Sequence, residues 1–124
     1  MKCGDTLLIP AEGTGDEIPH LWIVVTEPDP LCVIVCPSSL RYGKDQTVLL
    51  RAGDHPFVRK DTCVLYAYSE IVDADYLREQ VSAGRAKRHT PCSESILGLV
   101  QAGILASPFT PRKVQQFYRQ RRTS

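Results

Sequence analysis

Short apolar runs alternate with polar segments along the first half of the chain, and the two central runs lie between His20 and Ser39. Residues 22–25 (WIVV) and 33–35 (VIV) are rich in β-branched and aromatic side chains, and a proline-flanked turn separates them. This pattern predicts a buried antiparallel hairpin, in which His20 and Ser39 would lie at the same edge of the sheet. A hairpin that serves only as core, with a polar rim, fits the same residues.

Three further strands are predicted around this hairpin. An apolar run at 5–10 predicts a first strand, which a glycine-rich loop at 11–19 connects to the hairpin. The run at 47–51 and the alternating segment at 62–68 predict two more strands. Five strands are therefore expected before any helix.

The spacing of apolar residues becomes helical after residue 73. Asp73 as N-cap and Gly84 as C-terminal stop predict a first helix, and the basic segment 85–89 is expected to be a linker. Thr90 and Thr110 each precede a proline, which is the pattern of an N-cap followed by proline at the first helical position. The apolar residues at helical spacing are Ile96, Leu97, Val100 and Ile104 in the second helix, and Val114, Phe117 and Tyr118 in the third.

Strands followed by helices predict an α+β protein, in which a small, bent antiparallel sheet or partial barrel is covered by helices. The 124 residues fit one domain, with the barrel strands in 1–70 and the helices in 73–122. No run approaches the roughly 18 apolar residues of a membrane span. Asp5 interrupts any signal-peptide core, and five cysteines without a C-x-x-C pair favour reduced thiols, so we expect a cytoplasmic protein with no membrane association.

The net charge of +1 conceals an asymmetry along the chain. Residues 1–84 carry 7 basic and 13 acidic side chains, a net of −6, whereas residues 85–124 carry 8 basic and 1 acidic, a net of +7. A basic region of this kind can attract a polyanion. We expect the segment from Arg85 to Arg122 to add affinity for such a polyanion rather than chemistry.

Motifs that bind nucleotide phosphates or metals are absent from the sequence, including GxGxxG, GxxxxGK[ST], HExxH and paired CxxC. Zinc binding by Cys32, Cys36, His55 or Cys63 is compatible with the residue types. A buried apolar thiol is the commoner role for such cysteines. No metal and no cofactor are therefore predicted.

Polar side chains at the ends of the predicted strands form the candidate site. His20 opens a strand, and His55 follows Asp54, whose carboxylate would favour a charged imidazole. Two such histidines could serve as base and acid in metal-free cleavage of RNA, in which a base takes the 2′-hydroxyl proton and an acid protonates the leaving oxygen. A lone histidine is nevertheless more often structural than catalytic. The residues expected to hold the phosphate or the RNA are Ser38, Ser39, Arg41, Lys60 and Tyr66.

Three segments, GDTLLIP, HLWIVVTEP and CVIVCPSS, resemble the MazF/PemK-like toxins of type II toxin–antitoxin modules over about the first half of the chain. The resemblance implies a small SH3-like barrel, usually a homodimer, that cleaves single-stranded RNA without the ribosome and is silenced by an antitoxin protein. Ser39 matches the active-site Thr/Ser of the family, so the candidate catalytic residues are His20, Ser39 and His55. His20 stands where the family has a catalytic arginine.

This departure from the family pattern leaves alternatives open. Imidazole lacks the permanent forked charge of a guanidinium. Either His55, Lys60 or Arg41 performs part of that work, or the chain has lost ribonuclease activity. The leading hypothesis is an endoribonuclease toxin, and the alternatives are a non-catalytic barrel that binds nucleic acid or a protein partner, and a structural subunit.

Overall fold

A computed structural model describes residues 1–10, 19–41 and 43–123, without the side chains of Arg122 and Thr123. Most of the predicted loop at 11–19, Tyr42 and the predicted position of the Arg122 side chain lie outside this description. The strands of the described residues are β1 (Thr6–Pro10), β2 (Pro19–Val24), β3 (Leu31–Val35), β4 (Pro37–Ser39), β5 (Leu49–Leu50), β6 (Thr62–Val64), β7 (Glu70–Asp73) and β8 (Lys87–His89). The helices are α1 (Ala74–Ser82), α2 (Glu94–Ala106) and α3 (Arg112–Thr123).

The strands form two antiparallel sheets, and the predicted α+β class is confirmed. One sheet has five strands in the order β7-β3-β2-β1-β8, and the other has three in the order β4-β6-β5. The predicted hairpin is present as β2 and β3, in which Ile23 pairs with Val35 and Val24 with Ile34. β3 passes into β4 through Cys36 alone, and β4 pairs with β6. The chain therefore bends at Cys36 and leaves one sheet for the other.

Both faces of the five-stranded sheet contribute apolar side chains to packed clusters. One face packs with the three-stranded sheet, α2 and α3 around Tyr66, Val100 and Ile104. The opposite face packs against α1, whose Leu77 is buried. Each fully buried aliphatic side chain of this kind contributes about 1.5–3 kcal/mol of hydrophobic stabilisation. In the described part of the chain, no helix has both the length and the apolar character needed to cross a bilayer.

Two segments differ from the predicted secondary structure. Residues 85–89 are not only a linker, because β8 pairs with β1 and places Arg88 opposite Leu7. The strand predicted at 62–68 ends at Val64, and Tyr66–Tyr68 forms a 3₁₀ turn that the Ser69 hydroxyl stabilises by donating to the Tyr66 carbonyl (2.7 Å). Seven described strands therefore precede α1, rather than the predicted five.

The helix ends agree only in part with the predicted caps. Asp73 caps α1 as predicted, accepting from the Asp75 amide (2.8 Å), and Gly84 adopts a positive φ of 77° two residues after the helix ends. α2 begins at Glu94 rather than after Thr90, and Ser93 is its N-cap. Thr110 precedes α3 as predicted, but its buried hydroxyl has no hydrogen-bond partner among the described residues.

Candidate nucleic-acid interface

Two neighbouring strands bring the predicted serines and lysine into one cleft. β4 pairs with β6 so that Ser38 lies opposite Cys63 and Ser39 opposite Thr62. The resulting cavity has a volume of about 360 Å³. We call it the serine–lysine cleft, and the polar and aromatic side chains that line it are Ser38, Ser39, Phe57, Arg59, Lys60 and Thr62. The sequence-based grouping of Ser38, Ser39 and Lys60 is therefore matched by the structure.

Lys44 places a cation next to two serines of this cleft, and the sequence did not single it out. Its ammonium group donates to the Ser38 hydroxyl (2.8 Å) and to the Ser39 carbonyl (3.1 Å). Because the Ser38 oxygen accepts from Lys44, its own proton remains available for an anion. Lys44 lies in a polar loop, and only its short distance from the serines along the chain could have indicated this role.

Arg59 is the second residue of the cleft that sequence reasoning missed. It precedes Lys60 and has an exposed side chain that lines the cleft. Neither of the ion pairs between described residues, Arg78 with Asp75 and Arg88 with Asp5, involves Arg59 or Lys60. A guanidinium can contact a phosphate with two parallel hydrogen bonds. The cleft therefore has a guanidinium along its lining, in addition to the Lys60 ammonium group.

The cleft does not include every residue predicted to contact RNA. Arg41 is exposed in the loop that follows β4 and does not line the cleft. Tyr66 lies fully buried in the core, where its hydroxyl donates to the Val100 carbonyl (2.7 Å). A side chain without exposed surface cannot contact RNA, so the assignment of Tyr66 is wrong.

His55 occupies a structural position instead of an open loop. It is 3% exposed; its Nδ1 accepts from the Phe57 amide, and its Nε2 lies within hydrogen-bond distance of the Thr90 carbonyl. This pairing requires the neutral tautomer with the proton on Nε2. Burial lowers the pKa of His55, opposed in part by the Thr90 carbonyl, and the charge of His89 lowers it further. With both nitrogens engaged, His55 is not positioned for proton transfer.

The Asp54 carboxylate does not charge this imidazole, as the sequence had suggested. It accepts instead from the Arg51 amide (2.8 Å) and closes the turn before His55. His89, in the segment that was expected to be a linker, packs beside His55 with the ring centroids 5.1 Å apart, and lies 6.1 Å from the Phe57 ring. No signal in the sequence pattern connects these three rings.

His20 is exposed on β2 opposite Ile9 and lies in a different cavity, between the five-stranded sheet and α1. The predicted shared edge with Ser39 assumed that the β2–β3 ladder continues. That ladder stops at the Ile23–Val35 pair because the chain bends at Cys36. The three predicted catalytic residues are therefore not brought together.

The cysteines lie within the fold as free thiols. Burial raises the pKa of Cys32 and of Cys36 to about 11, so both remain protonated at neutral pH. Within residues 1–10, 19–41 and 43–123, no group of three or more His, Cys, Asp or Glu side chains is arranged to hold a metal ion.

No protein-family model matches this sequence, and no curated protein matches it significantly. The resemblance to MazF/PemK-like toxins therefore rests on the three quoted segments alone.

Proposed function

We propose that this protein binds single-stranded RNA in the serine–lysine cleft and cleaves it as a metal-independent endoribonuclease of the MazF/PemK-like class. One observation carries the proposal: Ser38 and Ser39 line one cavity together with the cations Arg59 and Lys60, and the Lys44 ammonium group donates to the Ser38 hydroxyl. Hydroxyl and cationic donors of this kind contact phosphate oxygens in protein–nucleic acid complexes. Phe57, 41% exposed at the cleft, offers a ring on which a base can stack.

The cleft supplies the electrostatic part of such a reaction. The RNA 2′-oxygen forms a bond to phosphorus and gives its proton to water, because no imidazole or carboxylate lines the cleft among the described residues. The bond from phosphorus to the 5′-oxygen breaks, that oxygen takes up a proton from a cation of the cleft, and water returns a proton to the cation. Ser39 and Arg59 would hold the charge that develops on the phosphate, and the Lys60 ammonium group would protonate the leaving oxygen. The products would be a 2′,3′-cyclic phosphate and a 5′-hydroxyl.

The proposed class also implies a barrel, a homodimer and an antitoxin. β3 and β4 form one bent strand region shared between two sheets, which supports an SH3-like barrel. Phe57 and Leu49, both more than 40% exposed, offer apolar surface for a second copy of the chain or an antitoxin. An antitoxin that covers Phe57 would also block the cleft.

A second candidate function is RNA binding without cleavage. The position of His55 favours it, because both ring nitrogens are engaged and no imidazole lines the cleft in the described part of the chain. Binding requires only the cations and hydroxyls, whereas cleavage also requires proton transfer.

One experiment separates the two functions. A mixed-sequence single-stranded RNA is incubated, with a chelator present, with wild type, Ser39→Ala, Lys60→Gln and the matched control His20→Ala, and both binding and the chemistry of the product ends are measured. We expect Ser39→Ala and Lys60→Gln to lower cleavage at least about tenfold. We expect His20→Ala to retain activity, because His20 lies outside the cleft.

The outcomes are distinct for each hypothesis. Binding that is weakened by Lys60→Gln, without cleavage by wild type, would support the non-catalytic module. Cleavage that is lost on chelation would overturn the metal-independent mechanism. Wild type that neither binds nor cleaves RNA would refute both functions.

A further inference from the structure

A second cavity lies between α1 and one face of the five-stranded sheet. Its volume is about 540 Å³, within the range of small-molecule sites. Trp22 on β2 and Tyr76 on α1 line it together with aliphatic side chains, and Tyr76 is 50% exposed. It shares no lining residue with the serine–lysine cleft. This helix–sheet cavity therefore requires an explanation of its own.

The polar groups of the helix–sheet cavity include donors and acceptors. Arg85 lies just after α1, and its Nε donates to the Gln80 side-chain oxygen (2.9 Å). That bond steadies the guanidinium and uses only one of its donor groups, and no described carboxylate forms an ion pair with Arg85. The His20 imidazole and the Glu70 carboxylate also line the cavity from exposed strand positions.

We propose that the helix–sheet cavity binds a free mononucleotide. The aromatic side chains Trp22 and Tyr76 can contact the base. Arg85 and His20 can hold the phosphate, and Glu70 can accept from an exocyclic amino group such as that of cytosine. An apolar anion would make no hydrogen bond to the Glu70 carboxylate, and a simple cation would make none to the remaining donors of Arg85, whereas a cytosine nucleotide offers groups that can bond to both.

This proposal does not rest on the RNA function of the serine–lysine cleft. The two sites share no residue, so a variant of one leaves the other intact. Trp22, the single tryptophan of the chain, lines the helix–sheet cavity. Quenching of its fluorescence therefore reports ligand binding directly.

The test titrates the full chain with CMP, UMP, cytidine and ribose 5-phosphate, following tryptophan fluorescence and confirming each result by calorimetry. We expect saturable binding of CMP that is stronger than that of UMP, cytidine or ribose 5-phosphate. Arg85→Gln should weaken CMP binding about tenfold and leave cytidine binding unchanged, because a charge-assisted contact to phosphate is lost. Glu70→Gln should reduce the preference for CMP over UMP.

Two variants serve as matched controls. Arg112→Gln removes an exposed arginine that does not line the cavity, and should bind CMP as wild type does. Lys60→Gln removes a cation of the serine–lysine cleft, and should also leave CMP binding unchanged. If either control weakens CMP binding as much as Arg85→Gln does, the assignment to this cavity is overturned.

Two further results would overturn the proposal. One is the absence of saturable binding of CMP up to about 10 mM, above the millimolar range of weak complexes. The other is displacement of bound oligocytidylate by CMP, which would make the cavity a subsite for RNA rather than a site for a free nucleotide. Failure of RNA binding with intact CMP binding would reject the proposed function alone.

Discussion

The ring of Tyr66 occupies the space that a β-carbon would need at Gly103. A β-carbon built on Gly103 would overlap with the Tyr66 hydroxyl oxygen and Cζ and would crowd Val48. The same hydroxyl donates to the Val100 carbonyl one turn earlier in α2 (2.7 Å). Glycine at 103 therefore allows α2 to approach the 3₁₀ turn closely enough for the core to close.

Substituting this glycine tests the packing directly. Gly103→Ala should lower the free energy of unfolding by about 1–3 kcal/mol, because Tyr66 must move and its hydrogen bond is disturbed. Gly98→Ala is the matched control in the same helix, since a β-carbon there meets no atom within 4 Å. It should raise stability by about 0.5–1 kcal/mol through helix propensity. Denaturant unfolding measures both, and equal effects of the two substitutions would contradict the packing argument.

Parts of this fold could be predicted from the sequence because their signals are local. The hairpin of β2 and β3 is marked by runs of β-branched and aromatic residues within the strands themselves, and Asp73 caps α1 through its own side chain. β8 lacks such a signal, since its residues Lys87–His89 are polar and pair on one side with β1. The start of α2 depends on a tertiary contact, in which the Cys92 amide donates to the Gly4 carbonyl (2.9 Å) and keeps the preceding residues out of the helix.

In the candidate site, too, the features with a local signal in the sequence could be predicted, and those that depend on tertiary contacts could not. Ser38 and Ser39 were identified from their position at the end of an apolar run, and the pairing of β4 with β6 brings Lys60 close to them. The role assigned to His20 required β3 to continue straight to Ser39, so that both residues would lie at one sheet edge. The chain bends at Cys36 instead, and the pattern of apolar residues does not indicate this bend. The role assigned to His55 required an exposed imidazole. The ring is instead buried against the Thr90 carbonyl, which lies 35 residues away in the sequence, so the local pattern could not indicate its burial.

Asp45 links the loop before β5 to the C-terminal end of α2, and its carboxylate should make the protein less stable at acidic pH. Its Oδ2 accepts from the Ser107 hydroxyl (2.6 Å), and its Oδ1 accepts from the Thr47 hydroxyl (2.6 Å) and amide (2.9 Å). Burial acts to raise the pKa of Asp45, but these hydrogen bonds outweigh it and leave the pKa below the ordinary 3.8. The stabilisation is therefore complete above about pH 4 and is lost as the pH falls through the lowered pKa.

A double-mutant cycle of Asp45→Asn and Ser107→Ala measures this link. Removing either partner should cost about 1.5–3 kcal/mol at pH 7, because the hydrogen bond involves a buried charged group. The double mutant should lose less than the sum of the two single losses, with a coupling energy of about 1 kcal/mol. Additive losses would show that Asp45 and Ser107 act independently.

His55 should make stability depend on pH at higher values than Asp45 does. Because burial lowers the pKa of His55 in the folded state below the ordinary 6.5, the unfolded chain binds the proton more readily. The contribution of neutral His55 to the free energy of unfolding should therefore be complete above about pH 6.5 and should decline as the pH falls towards the lowered pKa. His55→Gln can keep one donor and one acceptor but cannot titrate, so the decline between pH 7 and 5 should be smaller. An unchanged pH dependence would exclude His55 as its source.

The last prediction concerns Arg59 and separates its charge from its shape. If Arg59 holds the phosphate by two parallel hydrogen bonds, Arg59→Lys should keep the salt dependence of RNA binding but lower cleavage at least about tenfold. Arg59→Gln should lower cleavage by at least as much and reduce the slope of log affinity against log salt by about one. Arg51→Gln, an exposed arginine that does not line the cleft, is the matched control and should change neither quantity.

Binding at several salt concentrations and the rate of cleavage at saturating RNA give both quantities. Full cleavage by Arg59→Lys would show that a point charge is sufficient and that the guanidinium fork has no role. An unchanged salt slope for Arg59→Gln would place the phosphate away from this side chain. Because Arg59 is exposed on a loop, none of these substitutions should alter stability by more than about 0.5 kcal/mol, so a loss of activity cannot be attributed to unfolding.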